Sequence, residues 1–246
     1  MASRFSKQAD LYAKYRPDYP EDMYDIIFNH IASNKSAWDC ATGSGQVAKY
    51  LSNHFDEVLA TDISKEQLSH APKKDNIQYQ IARAEDSELA ENKFDLITVA
   101  QAIHWFNVDQ FYQEVRRVAK HDALLAVIGY GMVRVNAAAN PIIDELYEEA
   151  FGTYYDKNRT YLDEEYKTIP FPFDEIATPH IINTYQWTLN QLEGYFNSWS
   201  AIQKIKTEQD YNPINKTIKK LEAKITNPQN FEVQFPIFLR LGQINE

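Results

Sequence analysis

Apolar runs alternate with amphipathic stretches through the first half of the chain. Ser36–Ala41, Glu57–Thr61, Ile77–Ala82, Phe94–Ala100 and Ala123–Tyr130 read as short strands. The last two are apolar enough to be buried on both faces. Between them Gly45–His54, Lys65–His70 and Val108–Lys120 carry helical spacing, with Phe111, Val115 and Val118 on one face of the third. The alternation predicts a doubly wound, mostly parallel sheet with right-handed crossovers.

After Tyr130 the alternation stops, and Arg134–Asn230 reads as helices joined by aromatic-rich loops. A helix is expected over Ile142–Phe151, a loop punctuated by Pro170, Pro172 and Pro179, and a short strand near Ile181–Trp187. Helices follow over Leu189–Ile205 and Ile214–Ile225. The last strand, Glu232–Leu241, contains Pro236, which cannot donate to a ladder, so an edge or bulged position is expected. The α/β chain divides into a helical cap (1–30), a sheet core (31–133), a helical lid (134–230) and a closing edge strand (231–246).

At 246 residues, 44% hydrophobic and 24% charged, the chain has the composition of one globular core with an elaboration. A formal charge of −10 repels a polyphosphate backbone, so a nucleic-acid partner is not expected. No stretch of about 18 apolar residues occurs and no apolar run follows the first basic residues, which predicts a cytoplasmic protein without a membrane partner. Cys40 is the single cysteine, and no zinc-spaced His/Cys set is present, so neither a disulfide nor a metal is expected. Oligomeric state is not legible from sequence.

Gly43 and Gly45 fall where the first strand turns into a helix, which lets the backbone bend sharply and approach a ligand. Read as Gly43-x-Gly45-x-x-Ala48, with Asp62 19 residues after Gly43, the segment fits a dinucleotide fingerprint and makes an NAD(P)-dependent oxidoreductase a rival reading. Asp39, at the strand end, would repel a pyrophosphate and instead suits the cationic methionine part of S-adenosyl-L-methionine; the alternative is that it pins loop amides. Asp62 suits the ribose hydroxyls of either cofactor. The segments Ala82–Asp86 and Ala100–Phe106 should line the crevice at the carboxyl ends of the strands.

These motifs carry a resemblance. Phe5…Ala9-x-x-Tyr12-x-x-Tyr15-Arg16-Pro17-x-Tyr19-Pro20, the Asp39–Gly45 loop, Ala84-Glu85 and Gln101–Phe106 resemble the class I small-molecule methyltransferases, specifically the trans-aconitate-methyltransferase-like group. So do Trp187-x-Leu189, Tyr195-x-x-Ser198-Trp199-Ser200-Ala201 and Phe235-Pro236-x-x-Leu239-Arg240. The resemblance implies a Rossmann-like fold and S-adenosyl-L-methionine as cofactor, leaving S-adenosyl-L-homocysteine as product. It implies that Asp39, Ala41, Gly43 and Gly45 surround the methionine portion, that Asp62 holds the ribose beside Ile63, and that Ala84 and Glu85 sit near adenine. Ala100 and Gln101 complete the set, with Tyr12 and Arg16 closing over it. Ala41 departs from the glycine many relatives carry, and Arg83 from an acid.

The expected reaction is methyl transfer to an oxygen, nitrogen or carboxylate of a small-molecule acceptor; a silent binder of the cofactor is the non-catalytic alternative. His104 is the candidate catalytic residue, as base or hydrogen-bond donor, unless it merely begins a packed helix. Trp105, Tyr195 and Trp199 are expected beside it at the acceptor, with Arg134, Arg159 and Arg240 as possible anchors for an anion.

Overall fold

A computed structural model describes residues 15–154 and 158–245. In chain order the elements are α1 (Glu21–Phe28), β1 (Ser36–Cys40), α2 (Gln46–Leu51), β2 (Glu57–Asp62), α3 (Lys65–Ser69), β3 (Ile77–Ile81) and β4 (Phe94–Ala100). A 3-10 turn (Ile103–Trp105), α4 (Val108–Val118) and β5 (Ala119–Tyr130) complete the first half. The second half holds α5 (Asn140–Thr153), α6 (Arg159–Asp163), β6 (Asp174–Ile176), β7 (Ile181–Trp187), α7 (Leu189–Asn197), α8 (Ser200–Gln209), α9 (Pro213–Glu222) and β8 (Phe231–Ile244).

One eight-stranded sheet runs β3-β2-β1-β4-β5-β8-β6, with β7 also paired to β8. The first five strands are parallel, as the alternation predicted. Period two along each strand sorts side chains into two cores. Leu124, Ala126 and Ile128 face the layer holding α1, α2 and the lid, while Leu125 and Val127 face α4. Every residue of β1 is buried, as a central parallel strand requires. Asn107 caps α4 by accepting from Gln110 N, and Phe111, Val115 and Val118 bury the predicted face.

The closing strand is not at an edge. β8 pairs with β5 along Ala123–Tyr130 and with β6 and β7 on its other side. Pro236 survives there because a strand residue's N–H and C=O point the same way. Its carbonyl accepts Gly131 N at 2.8 Å, so the missing N–H faces the chain just beyond the last β5 residue. There the register slips by one between Tyr130↔Ile237 and Arg134↔Gln234.

The helix expected over Leu189–Ile205 is two. Trp199 adopts extended backbone (ψ 128°) between α7 and α8, and the Ser198 hydroxyl turns back to Tyr195 O at 2.6 Å. Neither α6 nor β6 was foreseen; each is too short, at five and three residues, to carry a period.

Residues 15–20 strap the lid to the core. Arg16 donates to Tyr130 Oη at 2.8 Å and Ser198 O at 3.4 Å and lies over the Tyr195 ring. Asp18 O accepts Asn183 Nδ2 at 2.6 Å and Tyr185 Oη at 2.9 Å, while Gln46 Nε2 donates to Pro17 O at 3.1 Å. The strap seats on α7 at Gly194, where a Cβ would lie 2.3 Å from the Tyr15 ring. Gly194→Ala should therefore displace the strap: overpacking of about 1–3 kcal/mol outweighs the ~1 kcal/mol that alanine gains in a helix. The expected result is a lower Tm in thermal unfolding; an unchanged or raised Tm would show that the strap yields freely.

Candidate active site

Three adjoining cavities open at the carboxyl ends of the parallel strands, where open α/β sheets place ligands. One of about 360 Å³ is lined by Ala41, Gly43, Asp62, Ile63, Ala84 and Glu85. A small one of about 60 Å³ touches Arg16, Asp39, Ala41 and Gly43. The largest, about 510 Å³, is lined by Arg16, His104, Arg159 and Tyr195. Gln101 borders all three, Ala100 the first two and Trp105 the first and largest. Tyr12 lies outside the described residues.

Gly43 has φ +58°, which favours glycine, and no atom lies within 4 Å of where its Cβ would be, so open space adjoins the loop. Gly45 lines no described cavity, contrary to expectation. It takes φ +78° at the start of α2, and its Cβ would meet Tyr79 Oη at 2.8 Å and Pro72 at 3.1 Å, so packing rather than ligand approach requires it. Gly43 N donates to Asp62 Oδ2 at 2.9 Å and Ser64 N to Oδ1 at 2.8 Å, leaving each oxygen with further lone-pair capacity at the cavity wall. Desolvation raises the Asp62 pKa above its usual value.

Asp39 points into the protein. It shares the face of β1 that α2 covers and is 1% exposed. Its oxygens accept Thr98 Oγ1 at 2.8 Å, Ala48 N at 3.0 Å and Thr42 Oγ1. The pinning role is thus what the side chain does, and only the edge of the residue reaches the small cavity. Cys40 is buried beside it, its thiol pushed up by desolvation, and serves as packing.

Glu85 accepts Asn107 N at 3.0 Å and pairs with Arg83 at 3.3 Å, which carries the Arg83 side chain outward to 71% exposure. Arg83 is the cation among the lining residues of the 360 Å³ cavity, and its charge is met by Glu85 on the same wall.

In the largest cavity, His104 is 7% exposed and its Nδ1 lies 3.0 Å from Tyr166 Oη. Burial, with Arg159 nearby, pushes its pKa down to about 3, so the ring is neutral at physiological pH. Arg159 sits 4.1 Å over the Phe151 ring and donates Nε to Tyr147 Oη at 2.9 Å, and Tyr147 donates to Asp163 Oδ1 at 2.5 Å. No described carboxylate forms an ion pair with Arg159. By contrast Arg134 pairs with Asp144. Arg240 is no anchor: it binds Glu175 at 2.8 Å and the carbonyls of Tyr166 and Ile169. Trp199, expected at the acceptor, is instead 3% exposed and wedged among Tyr147, Phe151, Tyr195 and Phe196. Sequence reasoning missed Gln67, Tyr147 and Tyr166. Gln67 follows the Asp62 strand end closely enough to have been found; the two tyrosines carry no local signal.

A methyltransferase-domain family model matches residues 38–127, the span from β1 through β5. A Dictyostelium discoideum protein named as a methyltransferase is 31% identical over 249 residues, covering 98% of this chain and 94% of its own. A solved structure from Anaeromyxobacter dehalogenans, named as a type II methyltransferase, superposes with a TM-score of 0.86 at 31% identity, over 94% of this chain and 99% of its own. A Bacillus halodurans structure at 15% identity and TM-score 0.53 shares the fold over 92% of this chain. The nicotinamide reading of the glycine loop is set aside by these relatives. A glycine loop with an acid at the end of the next strand, an antiparallel β8 beside β5, and whole-length relatives that are methyltransferases agree: the chain belongs to the class I S-adenosylmethionine-dependent methyltransferases.

Proposed function

We propose that the protein methylates a small molecule held in the 510 Å³ cavity, using S-adenosylmethionine held across the 360 Å³ and 60 Å³ cavities. The observation that carries this reading is the shared wall: Gln101 and Trp105 border both the glycine-loop side and the His104 side, so two ligands placed there meet. The residues fit the cofactor. Asp62 offers a carboxylate to paired hydroxyls, Ala84 and Glu85 bound the far end, and Ala41, Gly43 and Arg16 surround the small cavity. Tyr12 would belong with Arg16. Asp39 acts through the loop it pins, adding negative charge near a cationic ligand.

When bound, S-adenosylmethionine supplies a methyl group on a sulfonium, taken by in-line displacement without metal or covalent enzyme intermediate. What the chain adds is position: Trp105 and Tyr195 wall the acceptor, with Arg16 of the strap and Arg159 of the lid beside it. With its pKa pushed down to about 3, His104 is a weak proton acceptor and serves better as a hydrogen-bonding group than as a base. Among oxygen, nitrogen and carboxylate acceptors, the geometry therefore favours a group already ionised, with Arg159 to face it. A net charge of −10 supports a small-molecule substrate over nucleic acid, and the lone cysteine supports a cytoplasmic setting.

Calorimetric titration with S-adenosylhomocysteine should show micromolar binding and none for NADH; the reverse would overturn the reading. Asp62→Ala should weaken S-adenosylhomocysteine by about 1.5–3 kcal/mol, the worth of a charge-assisted contact, and an unchanged Kd in a folded variant would remove Asp62 from the site. Labelled methyl transfer across a panel of small acids, phenols and amines tests the acceptor, with acids expected to turn over. Because His104 stays neutral down to about pH 3, kcat against an acid should be flat from pH 5 to 8 as far as this group is concerned. The unfolded chain takes the proton near pH 6.5 and the folded one only near 3, so His104 lowers stability as pH falls through that window. His104→Gln should make the acid-side decline in Tm shallower, the parent's extra slope being up to about 1.4 kcal/mol per pH unit. An equal decline in both proteins would mean that the buried ring titrates normally.

A further inference from the structure

The turn that walls the largest cavity is one its residues do not favour. Glu165 and Tyr166 both have positive φ, 55° and 60°. Two adjacent Cβ-bearing residues in that region persist only where their surroundings over-determine them, and such strain gathers at functional sites. Arg240 supplies the restraint. Its Nη1 donates to Tyr166 O at 2.8 Å and Ile169 O at 2.7 Å, its Nε and Nη2 hold Glu175 at 2.8 and 3.0 Å, and it lies 4.4 Å over the Phe171 ring. Tyr166 N closes the turn onto Tyr161 O at 2.6 Å.

What the turn delivers is a hydroxyl. The Tyr166 side chain is fully buried, edge-on to Phe238 at 5.2 Å and at 26° to the His104 ring. Its Oη lies 3.0 Å from His104 Nδ1. A phenol is a more acidic donor than a neutral imidazole N–H, and an imidazole nitrogen is the better acceptor, so the proton in this bond belongs to the tyrosine. The neutral ring then carries its own hydrogen on Nε2, which no described protein group bonds. We infer that Tyr166 is the positioning residue of His104, donating to Nδ1 and so presenting an Nε2–H to the acceptor in the largest cavity. This rests on the reading of that cavity as the acceptor site. The acceptor it serves is one with an oxygen able to accept a hydrogen bond, oriented by Nε2–H on one side and the Arg159 guanidinium on the other.

Tyr166→Phe keeps the ring and its packing and removes only the hydroxyl. In protein carrying nitrogen-15 histidine, with the His104 signals assigned by their loss in His104→Gln, the parent should show the Nε2-protonated tautomer, and Tyr166→Phe should shift it toward a mixture. Kinetically, Tyr166→Phe should lower kcat about tenfold while leaving KM for S-adenosylmethionine unchanged. A parent protonated on Nδ1, or a tautomer unmoved by the substitution, overturns the inference. The acceptor-site reading fails separately: it is lost if His104→Gln leaves turnover of the acid panel unchanged, whatever tautomer the spectra show.

Discussion

One buried carboxylate holds the carboxyl edge of the sheet in shape. Asp39 is closed to water, and burial pushes its pKa up to about 6 against the pull of three hydrogen bonds. Those donors come from the loop (Thr42), from α2 (Ala48) and from β4 (Thr98), so a single group ties three elements together at the point where the chain must reverse. A buried charge is tolerated only when its lone pairs are met, and removing any one donor would leave the rest poorly matched. With the loop fixed, Ala41 can hold φ +54° and Gly43 N can aim at Asp62. Asp39 and Asp62 also repel each other, which contributes to raising Asp39. A cation placed between glycine loop and strand end relieves that repulsion, and a pyrophosphate would worsen it.

The parallel half of the sheet was legible because periodicity and burial agree there. Phe94–Ala100 is buried through six of its seven residues, and Val108–Val118 shows its apolar face in the spacing of Phe111, Val115 and Val118. Asp62, Ile63, Ala84, Glu85, Ala100 and Gln101, expected together, line one cavity for the same reason: strand ends are readable, and a doubly wound sheet brings strand ends together. What a strand end does not give is direction. Asp39 sits at a strand end, but period two turns its carboxylate toward α2, and Gly45 follows Gly43 by two residues yet meets Tyr79 instead of open space.

The second half was read poorly for a different cause. Its fold is decided by contacts far apart in sequence: Pro236 is placed by where β5 ends, and the 165–166 turn by Arg240. Trp199 looked like a ligand group because aromatic residues cluster there, but four aromatic neighbours enclose it, so its area is spent on the core. No local pattern could have put Tyr166 against His104, 62 residues earlier.

Gln101 shows how the two halves are joined. It is the second non-glycine residue of the strand ends with a left-handed backbone, at φ +55°. Its N donates to Ile128 O at 2.9 Å and its Nε2 to Tyr130 O at 3.1 Å, so β5 holds it in that conformation. Tyr130 in turn receives Arg16, and Arg16 reaches Ser198 O at the break between α7 and α8. A run of four residues therefore leads from the wall shared by all three cavities to the lid. The lid residues Arg159 and Tyr195 touch only the largest of the three cavities. Gln101 touches all three, so any change in its backbone moves the wall of every one of them at once.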